Sequence, residues 1–371
     1  MPSDLEPLLA AITPMTEPQF HRKHHFVPRL YLKRFAHADG RLWVYRTLVS
    51  HQSVPLWKSH SIRGVAYHSH LYTRIVAGGE TDQFERWLDR EFEDPAEEAI
   101  NKAVSGSRLS PDDWQRLIRF AVAQYVRTPA HYLESAERWV AILPQVMEES
   151  ITGSLEKLDL AKRSGAPLPG GETGDSDGLP LSVTITPKPG QDHSELKAEL
   201  TAGRALWLWE ATRVLTSTIE KLRGLRWTIL TAPDGLPWFT TDDPLIRLNF
   251  YAEDRYDFKG GWGNPGTDIM LPLSPHHLLY TQVGKRPPRR GKAVPRIQAE
   301  AIRRCIAEHA HRMVFATAQD TEVPDLRPRI VDAELCRQEG DVWRRWHEEQ
   351  SAAERQLRER GDGRAHHDSI Q

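Results

Sequence analysis

The sequence has few of the features that mark secreted or membrane-spanning proteins. Cys305 and Cys336 are its two cysteines in 371 residues, too few for a disulfide framework or a four-cysteine zinc site. No apolar run approaches the ~18 residues that cross a membrane. The first residues, Met1-Pro2-Ser3-Asp4, lack the basic start and apolar block of a secretory signal. We therefore expect a cytoplasmic protein that does not associate with membranes.

The sequence also lacks a strong excess of charge. Lysine and arginine together number 49, aspartate and glutamate 51, and the formal net charge is −2. Such a chain has no global positive field that would draw it onto DNA, RNA or an anionic membrane. Any contact with nucleic acid must therefore come from a local basic patch. Hydrophobic residues make up 39% of the chain and charged residues 27%, as in ordinary globular proteins.

Residue periodicity predicts helices in the middle of the chain. The clearest helix follows Ser110, a good N-cap, and has Pro111 at its first position. Another begins near Thr81 and breaks at Pro95. Four more are predicted by apolar residues at helical spacing, over residues 130–162, 196–222, 294–310 and 341–360.

Alternating apolar residues predict strands on either side of these helices. The predicted strands are 41–45, 181–186, 269–273, 278–283 and 312–316. Residues 225–231 and 237–241 flank a Pro-Asp-Gly turn and predict a β-hairpin. The fold class expected is α+β, with a central helical bundle packed on antiparallel strands from the N-terminal and C-terminal regions.

The composition also predicts a division of the chain. Residues 1–20 are expected to form a flexible arm, and 21–328 a single α+β domain. Within that domain, a flexible loop is expected at 164–180, because residues 165–180 contain five glycines and three prolines. Residues 329–371 are expected to form a charged helix that ends at 360 and a disordered tail.

Four short segments resemble, in this order, the domain-of-unknown-function family 4238. They are His24-His25-Phe26-Val27-Pro28-Arg29-Leu30-Tyr31-Leu32, Gln124-Tyr125-Val126-Arg127-Thr128-Pro129, Phe239-Thr240-Thr241-Asp242-Asp243-Pro244 and Leu271-Pro272-Leu273-Ser274-Pro275. Together they span most of residues 20–320. Thr241 stands where the family usually has serine, which keeps a hydroxyl group. The resemblance implies a fold family and a set of candidate residues, but no activity.

The histidines of the first segment are the first candidates for chemistry. An imidazole can bind a metal or act as a general base near neutral pH, so His24 and His25 are candidates for both roles. The alternative is that these histidines bond to the backbone while Tyr31 packs into the core. Both interpretations remain open from the sequence.

Asp242 and Arg127 are the other candidates. A carboxylate at a strand end, such as Asp242, can bind a divalent cation or orient a histidine; alternatively, it forms a turn by bonding its own backbone. Arg127 can clamp a phosphate or carboxylate, or simply complement the dipole at a helix C-terminus. Glu85 and Glu91 are six residues apart and do not share a helical face, so we do not expect them to form a carboxylate pair.

These residues suggest a metal-assisted hydrolase, similar to a nuclease or phosphodiesterase. In this hypothesis His24 or His25 supplies the base, His25 and Asp242 hold a divalent metal, and Arg127 stabilises developing negative charge. The expected substrate-binding residues are Arg29, Tyr31, Thr240, Thr241 and Ser274. The alternative is a non-catalytic module that binds nucleic acid or an acidic protein through the basic N-terminal run and residues 285–292.

Overall fold

A computed structural model describes residues 20–76, 79–164, 180–187, 194–200, 202–252 and 255–365. The predicted N-terminal arm, except residue 20, and the predicted loop between 165 and 179 lie outside these ranges. The single-domain prediction for 21–328 stays a prediction. The predicted tail is corrected in part, because the terminal helix continues past residue 360 as far as Ala365; residues 366–371 lie outside the described ranges.

Helices and strands alternate in several groups along the chain. The helices are α1 (Arg29–Leu32), α2 (Gln83–Leu88), α3 (Asp94–Val104), α4 (Pro111–Val126), α5 (Pro129–Ser164), α6 (Arg204–Arg213), α7 (Ile219–Leu222), α8 (Arg296–His309), α9 (Val323–Leu326) and α10 (Ala333–Ala365). A π-helical segment, Asp89–Glu93, connects α2 to α3, and a second, Val214–Thr218, connects α6 to α7.

The strands are short and mostly antiparallel. They are β1 (Lys23–His25), β2 (Arg41–Arg46), β3 (Leu48–Val49), β4 (Trp57–Ser61), β5 (Tyr67–Ser69), β6 (Arg74–Val76), β7 (Gly79–Thr81), β8 (Leu181–Pro187), β9 (Ser194–Leu200), β10 (Thr228–Thr231), β11 (Thr240–Thr241), β12 (Ile246–Ala252), β13 (Arg255–Asp257), β14 (Asp268–Ser274), β15 (His277–Gln282), β16 (Met313–Ala316) and β17 (Ile330–Val331). The predicted α+β class is confirmed.

Two sheets organise most of these strands. One has the order β10-β15-β14-β12-β13, and the other has the order β11-β16-β2-β4. The second sheet pairs β2, from the N-terminal region, with β16, from the C-terminal region, in antiparallel register. Strands from both ends of the chain therefore meet, as the fold prediction required. Smaller two-stranded pairs include β1 with β5 and β6 with β7.

The predicted start of α4 is confirmed in detail. The Asp113 N–H donates to Ser110 Oγ at 3.1 Å, and the Ser110 N–H donates to Asp113 Oδ2 at 2.9 Å, which is a reciprocal capping box. The helix then buries Leu117, Ala121 and Val122 in the larger of two hydrophobic clusters. The C-terminal end of this well-anchored helix presents Arg127 to the interior.

The predicted hairpin around the Pro-Asp-Gly turn is wrong in its pairing. The turn forms, since the Leu236 N–H donates to the Pro233 carbonyl at 3.1 Å and Gly235 has a φ of +76°. However, β10 before the turn pairs with β15, whereas β11 after it pairs with β16. A local turn signal specifies that the chain reverses direction, but tertiary packing selects the partners. Here the turn links two different sheets.

The predicted helix over 196–222 is wrong at its N-terminal end. Residues up to Leu200 form β9, which pairs with β8 in antiparallel register, and the helix begins at Arg204. Gly203 lies between them with a φ of +155°, a conformation that residues with a Cβ atom rarely adopt. In the described ranges, no helix combines the length and apolar character required to span a bilayer.

Candidate functional site

Hydrogen bonds inside the core join three of the four family-like segments. The Tyr31 hydroxyl lies 2.7 Å from Thr240 Oγ1 and donates to the Pro272 carbonyl at 2.5 Å. Residues 21–35 and 240–244 therefore meet in space, which the sequence alone could not establish. Because Tyr31 and Thr240 are both fully buried, neither is placed to contact a substrate as predicted, and burial raises the pKa of the Tyr31 phenol.

His24 has a packing role. It is fully buried, its Nδ1 accepts the Tyr72 N–H at 2.9 Å, and its Nε2 donates to the His21 carbonyl at 2.7 Å. Burial lowers the pKa of His24 to about 4, so the ring is neutral at physiological pH. With both nitrogens bonded to backbone groups, the predicted role of His24 as a base or metal ligand is not supported. The alternative of backbone bonding describes this residue.

Asp242 anchors the backbone before β16. Its carboxylate accepts the N–H groups of His311 at 2.9 Å and Arg312 at 2.8 Å, and its own N–H donates to the Met313 carbonyl at 3.0 Å. The side chain is 2% exposed, and burial raises its pKa. Each carboxylate oxygen of Asp242 thus accepts a backbone N–H group, and these contacts support a structural role for Asp242, not the predicted metal-binding role.

Thr241 and Ser274 also make local bonds rather than facing a ligand. Thr241 Oγ1 donates to the Asp243 carbonyl at 2.8 Å. Ser274 Oγ lies 2.9 Å from His277 Nδ1 and accepts the His276 N–H at 3.2 Å, where the chain turns between β14 and β15. Both side chains stabilise turns, so their predicted substrate-binding roles are not supported by these contacts.

A cluster of buried charge surrounds Arg127, immediately after α4. The side chain is 1% exposed. Nη1 bonds to the Glu93 carboxylate, Nη2 donates to the His25 carbonyl at 2.6 Å, and Nη2 also lies 3.8 Å from Glu85 Oε2. We call these residues, with Asp89, the Arg127 centre. The guanidinium is bonded to protein groups and buried, so it orients carboxylates rather than reaching a substrate directly.

Three carboxylates of this centre lie at four-residue intervals. Glu85 belongs to α2, and Asp89 and Glu93 begin and end the π-helical segment that follows. Residues four apart share one side of a helix, and π-helical segments often occur at functional sites. The four-residue spacing of these carboxylates is visible in the sequence, but our prediction considered Glu91 as the partner of Glu85. Glu91 is half-exposed and lies near Arg119, outside the centre.

Burial perturbs the titrating groups of the centre. It raises the pKa of Glu85 well above its ordinary value. It also raises the pKa of Asp89 to about 6, with a further contribution from the negative charge of Glu93. The pKa of His25 falls to about 4 through burial and the positive charges of Arg29 and Arg127. At pH 7 the His25 ring is therefore neutral and can act as a ligand.

Three buried polar atoms of the centre have no hydrogen-bond partner among the described residues. They are Glu85 Oε2, His25 Nε2 and Arg127 Nε. Such atoms are rare in native structures, and each calls for an explanation, such as a catalytic role or a bound ion. All three belong to Arg127 or to residues that Arg127 contacts.

A basic surface borders the His25 side of the centre. Arg29, Lys23 and Arg63 are exposed, and the Lys23 ammonium lies 4.7 Å from the centroid of the Tyr67 ring, against which the His25 ring also packs. Of the predicted substrate-binding residues, Arg29 is the one that the structure leaves exposed to solvent. Exposed cations beside a perturbed cluster provide a place for an anionic group.

A second perturbed carboxylate adjoins the centre through Thr128. Thr128 Oγ1 donates to Asp243 Oδ1 at 3.1 Å, and His309 Nε2 lies 3.6 Å from Asp243 Oδ2. Burial raises the pKa of Asp243 to about 8, so its carboxyl group is largely protonated at neutral pH. Asp242 was the predicted candidate of this Asp-Asp pair, whereas Asp243 has the more strongly raised pKa.

A known protein family matches most of this chain. The family model described as protein of unknown function (DUF4238) matches residues 23–320. The chain belongs to the DUF4238 family. The resemblance found in the sequence is thus confirmed. Comparisons with curated proteins and with solved structures gave no match.

All residues of the Arg127 centre lie inside the DUF4238 region. A separate group of potential metal ligands includes one residue, His347, that lies beyond it. Among the described histidines, cysteines, aspartates and glutamates, the set with ligand atoms within 4.8 Å of one another is His70, Glu80 and His347. The predicted pair of His25 and Asp242 does not belong to this set, and neither do Glu85, Asp89 and Glu93.

The basic run 285–292 has at least one structural task in the DUF4238 region. Arg290 Nη2 donates to the carbonyls of Lys102 and Ala103 at 3.4 and 3.3 Å, near the C-terminal end of α3. A cation is favoured there by the helix dipole. Binding of nucleic acid through this run stays a prediction.

Proposed function

We propose that this DUF4238 protein is a hydrolase of a phosphorylated substrate, assisted by a divalent cation bound at the Arg127 centre. One observation supports this most directly: the carboxylates of Glu85 and Glu93 both contact the buried Arg127 guanidinium. Asp89 lies between them on the same side of the helical segment, and its charge interacts with that of Glu93. When all four groups are ionised, their formal charges sum to −2. A divalent cation would balance this excess.

The negative charge of the centre needs a balancing cation because the centre is buried. An ionised carboxylate removed from water is unfavourable unless a cation or hydrogen bonds compensate it. Burial raises the pKa values of Glu85 and Asp89, so the charged form of each carboxylate is disfavoured unless a cation stabilises it. Mg²⁺ and Mn²⁺ prefer carboxylate oxygens, and Mg²⁺ commonly uses one or two protein carboxylates with water or phosphate completing its shell.

The unpartnered atoms suggest the ligands. Glu85 Oε2 and the neutral His25 Nε2 are the two acceptor atoms of the centre that lack a hydrogen-bond partner among the described residues, and we assign the cation to them. Arg127 is a positioning residue in this scheme, because it bonds to Glu93 and to the His25 carbonyl. This revises the sequence hypothesis, which assigned the metal to His25 and Asp242.

The remaining groups supply the other parts of hydrolysis. Asp89 is half-buried, and its pKa of about 6 lies near the operating pH, which suits a general base that takes a proton from water. The cation would polarise the phosphoryl group and lower the pKa of bound water. Arg29, exposed beside His25, would bind the substrate phosphate.

The test is hydrolysis of bis(p-nitrophenyl) phosphate in Mg²⁺ or Mn²⁺. Asp89→Asn is expected to lower the rate by roughly 100-fold or more, as for loss of a general base. Glu91→Gln is the matched control, because Glu91 lies in the same π-helical segment but its side chain is 41% exposed. Activity that is insensitive to a chelator, or that survives in a folded Asp89→Asn variant, would contradict the proposal.

The alternative function, non-catalytic binding of nucleic acid, has a different signature. Binding through phosphate contacts weakens steeply as salt rises, whereas the hydrolase proposal requires turnover and a divalent cation. A DNA or RNA oligonucleotide bound without cleavage, with the same affinity in Asp89→Asn, would favour the binding module.

A further inference from the structure

Two histidines and a glutamate from three separate segments converge away from the Arg127 centre. His70 follows β5, Glu80 lies in β7, and His347 lies in α10. His347 Nε2 lies 2.8 Å from Glu80 Oε1. The His70 and His347 rings stack, with centroids 4.0 Å apart and planes 18° apart. We call this group the histidine cluster.

Hydroxyl groups beside the two rings favour one ligand atom on each. Thr73 Oγ1 lies 3.2 Å from His70 Nδ1, and Ser351 Oγ lies 3.4 Å from His347 Nδ1. A metal-bound histidine usually donates its second ring N–H to a nearby acceptor. Thr73 Oγ1 can accept the Nδ1–H of His70, and Ser351 Oγ can accept the Nδ1–H of His347 in place of the long 3.5 Å contact from Arg204 Nη1. Each ring can then present Nε2 to an ion. The cluster therefore has supporting groups as well as ligands.

The backbone at His70 is held in an uncommon conformation. Its φ is +55°, in the left-handed region, and its N–H donates to the Arg22 carbonyl at 2.7 Å. A residue other than glycine in this region is strained and persists where its surroundings hold it. Such conformations cluster at functional positions, and here the conformation places the ring against α10.

The neighbouring arginine does not cancel the attraction for a cation. Arg204 Nη1 lies 3.5 Å from His347 Nδ1. However, Arg204 is fully buried and paired with Glu354 through two bonds of 2.9 Å. Its charge is thus compensated within that pair, and the carboxylate of Glu80 remains to balance a bound cation.

We propose that His70, Glu80 and His347 form a binding site for a transition-metal ion of the zinc class. Two imidazole nitrogens and one carboxylate oxygen suit Zn²⁺, Co²⁺ or Ni²⁺ better than Mg²⁺ or Ca²⁺. Binding requires the stacked rings to tilt so that their lone pairs converge, and water can complete the coordination shell. The ion fastens α10, which begins beyond the matched region, to the DUF4238 region.

The test is calorimetric titration of the full chain with Zn²⁺, with Co²⁺ absorption as a report on coordination. The wild-type chain is expected to bind one Zn²⁺ at this site, with a higher unfolding temperature when the ion is present. His347→Ala and Glu80→Gln are expected to weaken binding at least tenfold. The visible Co²⁺ bands of the wild type should be lost with His347→Ala.

His68→Ala is the matched control. His68 stacks on Trp343 at 4.0 Å, so it makes a ring contact of the same length between the β5 region and α10, without belonging to the ligand set. Its removal is expected to leave Zn²⁺ affinity unchanged. The proposal is overturned if the wild type binds no Zn²⁺, if His347→Ala binds it equally well, or if His68→Ala weakens binding to the same extent.

This inference does not depend on the proposed hydrolase function. Glu85→Gln, which alters the Arg127 centre, is expected to leave Zn²⁺ affinity at the histidine cluster unchanged. If Glu85→Gln lowers the affinity for Zn²⁺ as much as His347→Ala does, the two substitutions do not act on separate sites, and the assignment of the ion to the histidine cluster is wrong.

Discussion

Replacing Arg127 by methionine is the sharpest perturbation of the buried charge network. Methionine keeps much of the side-chain volume but removes the cation bonded to Glu93 and lying 3.8 Å from Glu85. Losing one partner of a buried ion pair costs about 3–5 kcal/mol. Leaving the His25 carbonyl without its donor adds about 1 kcal/mol. The expected loss in the free energy of unfolding is therefore roughly 4–6 kcal/mol near pH 8.

The loss should depend on pH. As the pH falls, carboxylates such as Glu85 take up protons, and the uncompensated negative charge disappears. Burial already raises the pKa of Glu85, and removal of Arg127 would raise it further. The difference between wild type and Arg127→Met should hence be smaller at pH 5 than at pH 8, in urea unfolding followed by circular dichroism.

Arg119→Met provides the control. Arg119 lies in α4, the helix that Arg127 directly follows. Its side chain is 26% exposed and lies 3.8 Å from the half-exposed carboxylate of Glu91. Its loss is expected to cost about 1 kcal/mol or less, with little dependence on pH. Equal losses for Arg127→Met and Arg119→Met, or a loss at Arg127 that does not change between pH 5 and pH 8, would refute the account of the centre.

Three further predictions concern single residues. Tyr31→Phe removes a hydroxyl bonded to Thr240 and Pro272 and should lower the free energy of unfolding by about 1–3 kcal/mol; no change in thermal unfolding would contradict this. His24→Leu leaves two backbone groups without partners and should cost about 2–4 kcal/mol, measured by urea unfolding. The pKa of Asp89 rises from 3.8 to about 6 on folding, so the native state holds more protons and stability falls as pH rises between those values. Asp89→Asn should remove this fall, and a stability profile identical to that of the wild type would argue against the raised pKa.

Sequence reasoning succeeded where the signal is local. Ser110 and Pro111 marked the start of α4, and the observed capping box with Asp113 confirms it. Alternating apolar residues likewise identified β14 and β15. Caps and alternation depend on residues close together in the chain, so they need no knowledge of tertiary packing.

Pairing could not be predicted in the same way. The strands β10 and β11 flank a genuine turn, yet each finds its partner elsewhere, in β15 and β16. The choice between helix and strand near Leu200 was also decided by pairing with β8. Local propensity yields to tertiary context in such cases.

The candidate site was only partly predictable. His25, Arg29 and Arg127 were predicted as site residues from the sequence. Asp242 was predicted as the site carboxylate because it follows two threonine hydroxyl groups. The structure shows that Asp242 holds backbone N–H groups. The carboxylates near Arg127 come from a different segment, Glu85 to Glu93, and their perturbation depends on burial, which the spacing of acidic residues alone does not reveal.

Binding of Mn²⁺ tests the central claim most directly. The titration should use a chain carrying His347→Ala, which disables the histidine cluster, with and without Glu85→Gln. The account predicts one bound Mn²⁺ per chain at pH 7 and an affinity lower by about tenfold or more when Glu85→Gln is added. Absence of Mn²⁺ binding, or equal affinity in the two chains, would contradict a divalent cation at the Arg127 centre.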